Sequence, residues 1–140
     1  MKYNKITDEL YKAAVNLIDS RFPDKDWEGA AAIYTSTGKI ITSTAPECNN
    51  DGVSLCHETG AYCEAYKINE DITASICVSK DDKGKYHILT PCGICQERLY
   101  YYGGDVAVAV PHEEDSTKWI SKLLKEIQPY YWRKPFDKDE

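Results

Sequence analysis

The 140-residue chain has an ordinary globular composition, with 42% hydrophobic and 29% charged residues, which is too polar for a membrane protein. A chain of this length can bury most of the surface that its unfolded form exposes. Its net charge of −6 argues against binding to nucleic acid, which needs a basic face toward the phosphates, and favours a small ligand of little charge.

Hydrophobic periodicity and turn residues predict alternating helices and strands. The predicted helices cover residues 7–19, capped by Thr7, and residues 56–69, 92–102 and 116–127. The predicted strands cover residues 29–34, 39–42, 72–78 and 106–110, and the first two form a hairpin. This alternation predicts an α/β fold, specifically a three-layer sandwich.

The ends of the chain bear on its location and its domain organisation. The start, MKYNKITDEL, lacks the apolar stretch of a signal peptide, and no apolar run approaches the ~20 residues that span a bilayer. We therefore expect a cytoplasmic protein without a membrane or nucleic-acid partner. One domain is expected over residues 1–133, followed by a loose tail over residues 134–140.

Three of the cysteines have the spacing of a metal site. Cys92 and Cys95 form a Cys-x-x-Cys pair at a predicted helix start, where two sulfurs lie one turn apart and the amide dipoles stabilise thiolates. Cys56, at the start of another predicted helix, adds a third ligand. Three protein ligands leave the fourth tetrahedral position of a zinc ion for water, which is typical of a catalytic zinc site. We expect the other cysteines to pack, at positions 48, 63 and 77.

Glu58 follows Cys56 by two residues on the same opening turn. We expect its side chain to reach a water at the metal rather than the metal itself. Its carboxylate can take a proton from that water and deliver it to a ring nitrogen and then to a leaving amine. His57 is expected to be a spacer, because adjacent helix residues point about 100° apart. The alternative for Glu58 is an ordinary carboxylate favoured by the helix dipole.

Together, Cys56-His57-Glu58 and Pro91-Cys92-Gly93-Ile94-Cys95 resemble the Cys-x-Glu and Pro-Cys-x-x-Cys signature of zinc deaminases. Within residues 29–110, the chain is also similar to the cytidine deaminase family at Gly38–Thr42, Glu47, Gly52 and Ala61. Both ends of the chain, at residues 26–31, 123–124 and 129–132, are closer to the blasticidin-S deaminase branch of the same superfamily.

The resemblance implies a mixed five-stranded sheet flanked by helices, with one zinc ion per subunit on Cys56, Cys92 and Cys95. It implies a catalytic role for Glu58 and a homotetramer whose neighbouring subunits complete each active site. It also implies that Glu47 binds the substrate, because Glu47 stands at the Glu of the family's sugar-binding Asn-x-Glu pattern.

Two positions depart from the family pattern. The Asn of Asn-x-Glu is Ala45, and the Arg that follows the catalytic Glu in three-cysteine relatives, where it offsets thiolate charge, is Thr59. Three thiolates on one Zn²⁺ leave a net negative charge, which makes a bound water harder to ionise unless helix dipoles or another cation compensate.

Several functions fit these residues. The first is hydrolytic deamination of a cytosine nucleoside, cytidine or deoxycytidine, to uridine or deoxyuridine and ammonia. The second keeps this chemistry but acts on blasticidin S, whose cytosine carries a non-ribose sugar; Ala45 favours it and Glu47 opposes it. The third is a non-catalytic, zinc-stabilised binding module, which needs a fourth protein ligand from Cys48 or Cys63. The cysteines could also be unrelated buried thiols, or Cys92 and Cys95 a redox dithiol.

Overall fold

The computed structural model describes residues 3–137, in which helices cover both faces of a six-stranded sheet. The helices are α1 (Asp8–Arg21), α2 (Thr59–Lys67), α3 (Gly93–Leu99) and α4 (Leu124–Ile127). The strands are β1 (Glu28–Thr35), β2 (Ile40–Ser43), β3 (Ile72–Lys80), β4 (Tyr86–Leu89), β5 (Ala107–His112) and β6 (Asp115–Leu123). None of the helices in this described part has both the length and the apolarity needed to cross a membrane.

Helix α1 begins at the cap that the sequence predicts. Thr7 is extended, and its hydroxyl oxygen accepts a hydrogen bond from the Leu10 amide at 3.2 Å, which satisfies one of the unpaired amides of the first turn. Leu10, Ala14 and Ile18 recur every four residues and are buried against the sheet. This apolar face fixes α1 on one side of the sheet.

Strand β3 forms the centre of the sheet. The strand order is β2-β1-β3-β5-β6, and β4 also pairs with β3. Strand β3 pairs with β1 along its length, whereas its other edge pairs with β5 at residues 74–75 and with β4 at residues 77–80. Only the β3–β5 pair is parallel, so the sheet is mixed. Residues 72–78 are all buried, as expected for a strand covered on both faces.

Alternate side chains of β1 belong to different layers of the fold. Ala30, Ala32 and Tyr34 pack with α1, whereas Ile33 packs in the cluster that contains residues of α2 and α3. The predicted three-layer α/β sandwich is confirmed. The sheet differs in strand number, since the resemblance implied five strands and the structure has six.

The helix predicted over residues 116–127 is wrong for most of its length. Residues 115–123 form β6, which pairs antiparallel with β5, and only Leu124–Ile127 is helical. The apolar residues from Trp119 to Ile127 have helix-like spacing, but a two-residue turn at 113–114 returns the chain along β5. Pairing there satisfies the free backbone groups of β5. Strand β4 was not predicted, because four residues are too few to show a period.

The C-terminal segment packs against α3. The ring of Tyr131 stacks on Tyr100, with centroids 3.7 Å apart and planes 3° apart. The carboxylate of Glu97 accepts hydrogen bonds from the Tyr131 hydroxyl and the Trp132 indole. Of the predicted tail, residues 134–136 form a 3₁₀ turn, and residues 138–140 lie outside the described residues.

Candidate active site

The structure brings Cys56, Cys92 and Cys95 together at the starts of two helices. Their sulfur atoms all lie within 4.8 Å of one another, and the Sγ atoms of Cys56 and Cys92 are 3.4 Å apart. Between residues 3 and 137, this is the one group of three or more Cys, His, Asp or Glu side chains with such a spacing. Cys48 and Cys63 are exposed and lie outside it.

Local hydrogen bonds hold the Cys-x-x-Cys turn in place. Cys92 is the extended residue directly before α3, and Cys95 lies in its first turn. The Gln96 amide donates to the Cys92 carbonyl at 2.8 Å, and the Gln96 side-chain amide donates to the Pro91 carbonyl at 2.7 Å. Both contacts tie the backbone before α3 to its first turn, so the directions of the two sulfurs are set by the chain itself.

The protonation of the three thiols differs with their surroundings. Burial raises the pKa of Cys56 and that of Cys95. Burial also acts to raise the pKa of Cys92, but hydrogen bonds from the Cys95 amide, the Cys56 thiol and the Ile94 amide outweigh it, so this pKa lies below its usual value. The cluster therefore holds protons that a cation would displace, because metals bind thiolates.

The donor set fits a zinc ion. Tetrahedral ligands about 2.3 Å from zinc lie about 3.8 Å from one another, and the observed sulfur separations, one of 3.4 Å and none above 4.8 Å, are compatible with that spacing. Cys95 is buried, whereas Cys92 is exposed, so the cluster opens toward solvent on one side. Three thiolates with an open side match a catalytic rather than a closed structural site.

Glu58 lies next to this cluster in a buried position. It is 4% exposed and directly precedes α2, but its carboxylate does not cap the helix. After burial, its charge is the next largest cause that raises the pKa values of Cys77, Cys95 and Tyr62, which shows how close these groups are. A buried carboxylate beside an open metal-binding cluster can carry protons to and from a bound substrate.

His57 has contacts that the sequence analysis missed when it treated this residue as a spacer. Its Nδ1 atom accepts a hydrogen bond from the Ala45 amide at 3.1 Å, and its carbonyl accepts one from the Ser43 hydroxyl at 2.6 Å. Burial lowers the pKa of His57, which favours the neutral ring that this contact requires. No sequence pattern could have revealed the contact, because it joins segments twelve residues apart through a loop without periodicity.

Thr59, at the position of the missing family Arg, contacts a guanidinium from the other helix. Arg98 Nη1, on α3, donates to Thr59 Oγ1 at 3.1 Å. Helix α3 thus provides a positive group at the start of α2. This contact links the two helices that carry the thiol cluster.

Glu47, the predicted substrate-binding residue, is not part of the thiol cluster. Its side chain is 84% exposed, and its carboxylate pairs with Lys25 Nζ at 3.3 Å. Exposed pairs of this kind contribute little to stability. The loop over residues 47–55 is exposed throughout, so its position depends on how its ends are held.

No protein-family model matches the chain. Among curated proteins, it is 32% identical over 88 residues to a probable cytidine deaminase of Dictyostelium discoideum, a match that covers 63% of this chain and 58% of that protein, less than two thirds of its length. It is 27% identical over 126 residues to the blasticidin-S deaminase of Bacillus cereus, which covers 86% of this chain and 88% of that protein.

Solved structures give a fuller match. The cytidine deaminase from Bacillus anthracis is 42% identical, with a TM-score of 0.86, over 92% of this chain and 91% of that one. The cytidine deaminase from Mycobacterium leprae, at 23% identity and a TM-score of 0.66 over 87% of this chain and 96% of that one, shares the fold. Because the match to the Bacillus anthracis protein is both this similar and nearly complete, this chain belongs to the cytidine deaminase family, whose members are enzymes of the deaminase type.

Proposed function

We propose that this protein is a zinc-dependent deaminase that converts cytidine or deoxycytidine and water into uridine or deoxyuridine and ammonia. The observation that carries this proposal is the position of a buried carboxylate, Glu58, beside the three clustered sulfurs of Cys56, Cys92 and Cys95. The names of the Dictyostelium and Bacillus anthracis relatives support this substrate class.

Cys56, Cys92 and Cys95 would hold the zinc ion. When bound, zinc supplies Lewis-acid activation of a water for attack on C4 of the cytosine ring. The amides that hydrogen-bond Cys92 stabilise the thiolate form that the ion needs. Such thiolates persist in a reducing compartment, which supports a cytoplasmic location.

Glu58 would move the protons of the reaction. Its carboxylate takes a proton from the attacking water and delivers it to N3 of the ring. It then transfers the second proton of the water to the exocyclic amine, the C4–N bond breaks, and ammonia leaves. Because Glu58 is 4% exposed, bulk water does not compete for these protons, and the carboxylate acts at short range on the ring.

The sugar-binding side is where this chain departs from its family pattern, and there the second candidate substrate has support. Ala45 offers no side-chain amide to a ribose hydroxyl, and Glu47 pairs with Lys25 at the surface. Both observations favour blasticidin S as an alternative, as does the name of the Bacillus cereus relative. If cytidine is the substrate, Glu47 would bind its ribose after the loop turns inward.

We further infer that the protein forms a homotetramer. Tyr66 and Tyr101, which are 69% and 74% exposed, pack edge to face along a groove beside α2 and α3 that Tyr62, Cys63 and Tyr102 also line. Exposed aromatic surface of this kind is characteristic of interfaces. Light scattering should give a mass four times the 15.9 kDa of the chain; a monomer in solution contradicts this inference.

An ultraviolet assay of the purified protein tests the function directly. Cytidine, deoxycytidine and blasticidin S are supplied in parallel, with zinc measured on the same sample and the Glu58→Gln protein as background. We expect turnover of cytidine or deoxycytidine with equimolar ammonia release. Turnover of blasticidin S alone would favour the second candidate. Zinc-loaded protein that turns over no cytosine compound contradicts a deaminase and leaves a binding module.

A further inference from the structure

The imidazole of His57 makes a directed contact with the start of the loop that carries Glu47. Its Nδ1 atom lies 3.1 Å from the Ala45 amide and 3.4 Å from the Thr44 hydroxyl oxygen. That hydroxyl donates to the Gly29 carbonyl at 2.6 Å, so its single hydrogen is already used. The donor to Nδ1 is therefore the Ala45 amide, which leaves the ring proton of neutral His57 on Nε2.

The ring occupies a space that only a glycine leaves open. A Cβ atom on Gly29 of β1 would lie 2.6 Å from His57 Nε2, well inside contact distance. The backbone on the other side is also fixed, because the Ser43 hydroxyl donates to the His57 carbonyl at 2.6 Å. With its ring against β1 and its carbonyl bonded to the end of β2, His57 has little freedom to turn.

The loop that follows has few other attachments among the described residues. Residues 47–55 are exposed, and the contacts of this stretch are the surface pair of Glu47 with Lys25 and short-range bonds around Asn50 and Asp51. The Ala45 contact is thus the last attachment to a buried part of the protein before Glu47. It fixes where the loop leaves the sheet.

From these contacts we propose that His57 is a positioning residue for the substrate, which aligns the loop of residues 44–55 with the reacting centre by binding the Ala45 amide. This inference rests on the proposed function. His57 stands between Cys56 and Glu58 in the chain, so one residue sets both the spacing of these two groups and the path of the loop. Loss of its acceptor should loosen substrate binding and leave the proton-transfer group in place.

A matched pair of substitutions tests this role in the full-length, zinc-loaded protein. Asn carries its Oδ1 atom as many bonds from the backbone as Nδ1 of His, whereas Leu has nearly the shape of Asn without an acceptor. We expect His57→Leu to raise the KM for the nucleoside about tenfold, a typical effect of leaving a buried amide unpaired, with kcat within about threefold and unchanged zinc content. His57→Asn should restore most of the affinity.

Amide hydrogen exchange gives a readout that does not depend on activity. In the unsubstituted protein and in His57→Asn, the Ala45 amide should exchange slowly, and in His57→Leu it should exchange as fast as the exposed amides of residues 47–49. An unchanged KM in His57→Leu overturns the proposal, as does His57→Asn that behaves like His57→Leu. If His57→Leu does not fold, rapid exchange at Ala45 in the unsubstituted protein overturns it.

The two proposals fail in different ways. If the unsubstituted protein turns over no cytosine compound, the proposed function fails, and with it the role of His57 in nucleoside binding. The anchoring of the loop is then still decided by exchange at Ala45, which needs no substrate. If turnover is normal and only the His57 pair shows no difference in KM or exchange, the inference on His57 alone fails.

Discussion

The side chain of Cys77, in the middle of β3, hydrogen-bonds the carboxylate of Glu58 at the start of α2. Both side chains are buried, with 5% and 4% of their surface exposed. Because burial raises the pKa of Cys77, this thiol stays protonated and donates the hydrogen bond. The carboxylate has two oxygens and accepts several bonds, so this contact orients Glu58 and leaves acceptor sites for proton transfer.

Replacement of this carboxylate should abolish most activity without loss of the fold. In Glu58→Gln the amide keeps the shape but cannot carry protons, and we expect kcat to fall by at least ~10²–10⁴-fold, with zinc content unchanged. Steady-state kinetics and metal analysis on one preparation check this. The control is Glu64→Gln on the same helix, where Glu64 pairs with Lys67. Equal turnover of Glu58→Gln and the control would contradict the proton-transfer role.

Zinc binding should depend on three cysteines and not on the others. Cys56→Ser, Cys92→Ser and Cys95→Ser each remove one sulfur of the cluster, and we expect each variant to lose most of its zinc and to become less stable, because metal affinity and folding are coupled. Cys48→Ser and Cys63→Ser replace exposed sulfurs outside the cluster and should keep one zinc per chain. Full zinc in all three cluster variants would refute the ligand set.

Substitutions in the loop should separate the two substrates. If Glu47 accepts a hydrogen bond from a ribose hydroxyl, Glu47→Ala should weaken cytidine binding by roughly 1–3 kcal/mol and scarcely change the handling of blasticidin S. Ala45→Asn, which restores the family's amide, should improve cytidine turnover. Lys25→Ala, which removes only the surface partner of Glu47, is the control. No response to either loop substitution argues for the antibiotic substrate.

Stability in acid should depend on Asp81, in the turn between β3 and β4. A hydrogen bond from His87 and others from the Lys85 and Lys83 amides lower the pKa of Asp81 from 3.8 to about 2. A carboxyl with a lower pKa in the folded state stabilises the protein above the unfolded pKa, and this contribution disappears as the pH falls from about 4 to about 2.

Asp81→Asn should therefore lower the melting temperature at pH 7, and the difference from the unsubstituted protein should shrink as the pH falls below about 4. Circular dichroism melts between pH 7 and pH 3 measure this difference. Asp82→Asn, at the exposed neighbouring position, is the control and should show little effect at any pH. A difference that is constant over this range would assign the effect of Asp81 to something other than its charge.

The elements that the sequence predicts well are those whose side chains face a single layer. Helix α1 shows its cap and its buried stripe directly, and the run from Ile72 to Val78 is apolar because both of its faces are covered. The sequence misleads at β6, where apolar spacing matches a helix. There the two-residue turn and the free edge of β5 decide the structure, and both are tertiary facts.

The candidate site was predictable to the same limit. The proximity of Cys56 to Cys92 and Cys95 followed from motif spacing, because both motifs begin helices around one central strand. The contacts of Glu58 with Cys77, of His57 with Ala45, and of Thr59 with Arg98 did not. Each of these joins residues whose separation in the chain has no relation to a helix or strand period, so only the assembled sheet brings them together.

The 3.4 Å between the sulfurs of Cys56 and Cys92 also bears on how the protein should be handled. A disulfide needs an S–S distance of about 2.05 Å, so a small side-chain rotation in metal-free protein allows dissolved oxygen to take two electrons and two protons from this pair. The resulting cross-link would remove two of the three donors and block reloading with zinc. Protein stripped by a chelator in air would then stay inactive until a reductant such as dithiothreitol is added.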